Sequence, residues 1–148
     1  MSEHIGVEPP AEGDPVGDDV VVFRLIPTSS CDVVDGNWEF QSGAFDNASP
    51  EFEGDADDCM SVVLGDHLVV LDRLPQNLPA ETPWTGPDYG VAALEVGFLR
   101  NVEDQEILRT PSPVEPAHGD VKGAKNPKRR RRLKKHAVWV IRPAVPPR

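Results

Sequence analysis

The chain has 148 residues, 39% of them hydrophobic, and a formal net charge of −10 from 15 basic and 25 acidic side chains. That length and composition suit one small domain with a modest core. No apolar stretch approaches the roughly 20 residues that cross a bilayer, so no membrane insertion is expected, and an acidic start rich in Pro and Gly lacks the parts of a secretory signal, which makes the cytosol the default location.

Residues 1–18 hold five acids, three prolines and no hydrophobic period, a composition that does not offset the entropy of ordering and predicts a disordered acidic tail. One domain is expected over 19–142, followed by a proline-containing tail over 143–148. The run 20–26, rich in Val, Phe and Ile, predicts a buried strand that stops at Pro27. Turns follow at 28–30 and at Asp35-Gly36, and 47–58 reads as an acidic loop. A second strand is expected over 60–64, broken by Gly65-Asp66, where Asp66 is placed to cap a short helix presenting Leu68, Leu71 and Leu74. Pro75, Pro79, Pro83 and Pro87 predict a long surface connection with Trp84 and Tyr89 in or beside it. Beyond it the pattern predicts a strand over 90–94, a short helix over 95–102 and a strand over 105–109. Asn126-Pro127 is a helix start, with Asn as N-cap and Pro at the first helical position, and predicts a helix to about His136 before a strand over 138–141. The fold class is α+β, with about five or six short strands and two or three short helices.

Charge is divided along the chain. Four basic residues against all 25 acids give −21 through residue 121, whereas 11 basic residues and no acid give +11 from Lys122 onward. In the predicted basic helix Leu133 and Ala137 are four apart and anchor one side. Lys128, Arg129, Arg130, Arg131, Arg132, Lys134 and Lys135 occupy the remainder and are the candidate anion-binding residues. Their mutual repulsion would be relieved by an acidic macromolecule, nucleic acid or protein. Arginine permits bidentate phosphate contacts, but nothing in the arrangement encodes base specificity. The alternative is internal: the acidic body pairs with the helix, the helix supports the fold, and the acidic face is left for a basic partner. A membrane surface is disfavoured because the helix lacks a broad apolar face.

No motif indicates a cofactor or a metal. Cys31 and Cys59 cannot complete a zinc site and are expected as thiols. His67, His118 and His136 lack metal-ligand spacing, and there is no glycine-rich phosphate loop, Walker sequence or nucleophile elbow. Arg24 interrupts an apolar strand, as an edge residue or as a buried guanidinium paired with a carboxylate. His118, two positions before Asp120, suits a metal ligand, a proton shuttle or a hydrogen-bonded loop histidine.

Phe23-Arg24-Leu25-Ile26-Pro27, Ser42-Gly43-Ala44-Phe45, Met60-Ser61-Val62, Gly97-Phe98-Leu99-Arg100, the stretch from Pro116-Ala117-His118 to Gly123, and Trp139-Val140 occur in that order. In them the chain resembles a group of small bacterial proteins with an Arg-Ile-Pro-like start and a Pro-x-His-x-x-Val-x-Gly-Lys segment before a basic helix and a terminal strand. The resemblance implies one compact bacterial domain without an assigned activity, and it singles out Arg24, His118 and Lys122 as polar positions to inspect for convergence. Here Ala124 separates Gly123 from Lys125, a departure from that pattern. The leading expectation is a non-enzymatic binding or accessory module acting through the basic helix. The opposing one is a small nucleotide-handling enzyme or toxin in which Arg24 and His118 face one pocket.

Overall fold

The computed structural model describes residues 9–47, 59–83 and 85–147. Residues 1–8 of the expected 1–18 tail, nearly all of the expected acidic loop and Trp84 lie outside them. In chain order the strands are β1 (Val21–Pro27), β2 (Cys31–Val34), β3 (Asn37–Phe40), β4 (Cys59–Leu64), β5 (Tyr89–Glu95), β6 (Glu106–Arg109), β7 (His118–Lys122) and β8 (Val138–Ile141). The helices are α1 (Gly65–Val70), α2 (Leu78–Glu81), α3 (Val96–Asn101) and α4 (Pro127–His136). The domain is α+β, with more short strands than the sequence pattern indicates.

Six strands form one antiparallel sheet in the order β6-β7-β4-β1-β5-β8. β1 holds the centre because, Arg24 apart, it carries apolar side chains toward both faces and is buried on both, as suits a strand covered on two sides. Alternation sends Val22, Arg24 and Ile26 to one face and Val21, Phe23 and Leu25 to the other. The first face packs Val22, Ile26, Met60, Leu64 and Leu94 against Val96 and Leu99 of α3, Leu133 of α4 and Phe45. The second packs Phe23, Leu25, Val63 and Val91 under Leu68 of α1 and Leu78 of α2.

β2 and β3 form a separate hairpin. Asp35 and Gly36 turn it with φ of 51° and 78°, the positive values of the tight turn whose twist matches a hairpin. The hairpin leans on β8 through Phe40, whose ring stacks on Trp139 at 4.1 Å.

Several expectations change. The proline-rich connection contains ordered turns, a 3-10 turn at Pro75–Asn77 and then α2, each with a proline in its first turn, where a missing N–H costs no intrahelical bond. Asp66 does not cap α1; it lies in the first turn, and Arg109 takes both carboxylate oxygens. His118 belongs to a strand rather than a loop, in register with Val63. Order also reaches past 19–142. Val16 is buried, its carbonyl accepts from Arg100 at 2.6 Å, and the Pro15 carbonyl accepts from Arg109 at 3.1 Å. At the other end the amides of Ala144 and Val145 donate to the Pro87 carbonyl, and the Val145 carbonyl accepts from Trp38 Nε1 at 2.6 Å. At both ends a short tail segment supplies carbonyls to side-chain donors of the domain, Arg100, Arg109 and Trp38.

Gly90 lets β8 approach β5, because a Cβ there would lie 2.7 Å from both the Ile141 carbonyl oxygen and the Trp139 ring. Gly90→Ala is therefore expected to lower unfolding stability by about 1–3 kcal/mol, as overpacking does, measured by urea denaturation. Unchanged stability would refute this close approach.

Candidate anion-binding face of the basic helix

Helix α4 forms where its start signal places it. The Asn126 side chain accepts from the Arg129 amide at 2.8 Å and Pro127 occupies the first turn. Leu133 is fully buried and Ala137 nearly so, which seats the helix against the first face of the sheet. The remaining residues of α4 separate into two sets.

Three of the arginines turn inward. Glu103, with no exposed surface, accepts from Arg129 Nε at 3.2 Å and from Arg132 Nε and Nη2 at 2.8 Å each. Arg130 donates to the Lys125 carbonyl at 2.8 Å and lies 3.6 Å from Asp46. Arg129 and Arg132 stand three residues apart, hence on one side of the helix, so a single carboxylate holds both. Hydrogen bonding from Arg132, outweighing the opposing effect of burial, holds the Glu103 carboxyl below its usual 4.5, and the same contact raises Arg132. At the end of the helix the His136 ring stacks on Phe98 at 3.7 Å with its Nε2 3.4 Å from Glu95.

The other four, Lys128, Arg131, Lys134 and Lys135, are exposed and, among the described residues, form no ion pair. At 3.6 residues per turn these positions fall within roughly 120° of the helix circumference. They make one outward cationic stripe.

The start of the helix is anchored by a buried lysine. Lys125 Nζ donates to the carbonyls of Val121 and Gly123 at 2.9 Å each and to the Asn47 side chain. Gly123, at φ 147°, leaves no room for a Cβ beside Gln105.

The other sequence candidates do not converge. Arg24 is buried on the first face, donating to the Ser61 carbonyl at 2.7 Å and the Ala44 carbonyl at 3.2 Å. His118 is buried on the opposite face, its Nδ1 beside the Thr110 hydroxyl at 2.8 Å. Lys122 shares that second face with His118 but is exposed at the end of β7. A six-stranded sheet thus separates Arg24 from His118, and the two cannot face one pocket. Cys31 and Cys59 form no disulfide, and burial, with the Asp32 and Glu39 charges, pushes the Cys31 thiol up to about 11. No cluster of metal-ligating side chains occurs among the described residues, and no helix of the described residues is long and apolar enough to cross a membrane.

The sequence reading missed Glu103. One acid among 25 in a charge-rich chain carries no local mark of burial; its distinction lies in what folds over it. No protein-family model, curated protein or solved structure matches the chain.

Glu103→Gln is expected to lower stability at pH 7 by about 2 kcal/mol, a value discounted because Arg132 retains access to water. Because folding lowers the Glu103 carboxyl below 4.5, its stabilising contribution is complete above that value and disappears as pH falls through the folded-state titration. Thermal melts from pH 7 to pH 2 should therefore show wild type and variant converging in acid. A constant gap would refute the linkage.

Proposed function

We propose that the protein is a non-enzymatic binding module whose helix α4 contacts an acidic macromolecule, with nucleic acid the first candidate. The supporting observation is the division of α4: Arg129, Arg130 and Arg132 serve the fold, whereas Lys128, Arg131, Lys134 and Lys135 form an exposed stripe without carboxylate partners among the described residues. The external and internal readings of the basic segment thus apply to different residues of one helix. A surface of this kind attracts phosphates without reading bases, because point charges position a backbone but do not distinguish base edges.

The stripe also bounds the affinity. Four cations neutralise at most four phosphates, so the log–log salt dependence on duplex DNA should have a slope no steeper than about −3.6. The acidic body opposes the approach of a polyanion from any other side.

The test is fluorescence anisotropy with mixed-sequence DNA and RNA oligonucleotides over a salt series. Wild type is expected to bind, with affinity falling as salt rises. The combined variant Lys128→Gln, Arg131→Gln, Lys134→Gln, Lys135→Gln should lose binding yet melt where wild type does, whereas Arg129→Gln with Arg132→Gln should lower the melting temperature. Binding that survives the four-site variant would remove α4 as the contact. Absence of wild-type binding at low salt would exclude nucleic acid and leave an acidic protein as the partner.

A further inference from the structure

The cationic stripe runs into a groove at the end of α4. Lys134, Val138, Trp139, Arg142, Glu39 and Phe40 line it, and its volume is about 550 Å³, within the size range of small-ligand sites. Its wall is aromatic, since the Trp139 indole stacks on Phe40 with an interplanar angle of 29°. The polar groups at its far end are already satisfied. Glu39 accepts from Trp139 Nε1 at 3.1 Å and from Arg142 Nη2 at 3.1 and 3.3 Å, and the Arg142 guanidinium sits 5.7 Å from the indole centroid. Paired in this way, Glu39 presents little net charge to an entering anion. Lys134 belongs both to the groove and to the stripe, so the two surfaces are continuous.

We propose that the partner of α4 is single-stranded nucleic acid, with its phosphates along Lys128, Arg131 and Lys135 and one unpaired base in the groove against Trp139. This rests on the reading of α4 as the anion-contact face. Cations that follow a backbone beside an aromatic wall that accepts a base are the two elements of single-strand binding, and neither demands a particular sequence. A duplex satisfies the stripe but keeps its bases stacked inside and leaves the groove empty.

The experiment compares wild-type affinity for a short oligothymidylate, an abasic strand of equal length and charge, a duplex of that length and polyglutamate. The thymidylate is expected to bind about tenfold more tightly than the abasic strand, as one stacked base supplies, and more tightly than the duplex. Trp139→Phe, which keeps a ring on Phe40, should reduce the thymidylate-to-abasic ratio several-fold while leaving abasic affinity unchanged. The comparison of ligands on wild type stands even if that variant fails to fold. Equal affinity for thymidylate and abasic strands, or preference for the duplex, would overturn the base groove while leaving α4 as the contact. Polyglutamate binding more tightly than thymidylate would overturn nucleic acid as the ligand. No binding of any probe at low salt would remove both this proposal and the reading on which it rests.

Discussion

A carboxylate with no access to water, Glu103, lies between two arginines of one helix, and the placement of the basic segment follows from that contact. Burying an ion is costly unless it is paired and hydrogen-bonded, and the partners of Glu103 come from α4. Leu133 and Ala137 alone give the helix a narrow apolar footing against the repulsion of seven cations. An apolar substitute for a buried ion pair can be just as stable. What the pair adds is rotation: with Arg129 and Arg132 fixed on Glu103, the helical period determines which side chains point away. Lys128, Arg131, Lys134 and Lys135 are outward for the same reason that Arg129 and Arg132 are inward.

The same economy of cations governs the rest of the molecule. All four basic residues before Lys122 are engaged within the fold. Arg73 bridges the buried Glu115, at 2.6 and 2.8 Å, and Glu81, at 3.0 Å. Arg109 grips Asp66, whose burial would raise its titration but whose contact with Arg109 lowers it. Arg100 meets Asp18 at 2.5 Å, and Arg24 serves carbonyls in the core. With those four arginines committed to the body, the exposed positive charge of the described residues is concentrated on α4. A net charge of −10 conceals a molecule whose two kinds of surface are sorted by structure more sharply than by sequence.

Local chemistry made much of this legible. Asn126-Pro127 places the start of α4, and the β-branched run before Pro143 places β8. Asp35-Gly36 marks the tip of the hairpin. Information carried by pairing was not legible. β7 reads His-Gly-Asp-Val-Lys, too polar for a strand by pattern, and is one because it completes the ladder between β4 and β6. Arg24 and His118 looked equally available for a common site, and only the strand register assigns them to opposite faces. The sequence marks the seven cations of α4 alike, and their division depends on Glu103, which lies 26 residues before Arg129 in the chain. The prolines from Pro75 to Pro79 were legible as interruptions, not as first-turn residues of short helices.

The position of α4 in the chain has a consequence for synthesis. By the time residues 127–136 leave the ribosome, Glu103, Asp46 and Glu95 have already been made, and so have the strands β1, β4, β5, β6 and β7. The most basic stretch of the protein therefore emerges beside a body that already holds its carboxylate partners. Beside ribosomal RNA, four of its ten residues, Arg129, Arg130, Arg132 and His136, have an internal destination. Placed first in the chain, the same segment would have waited, charged and unpaired, against the densest polyanion in the cell.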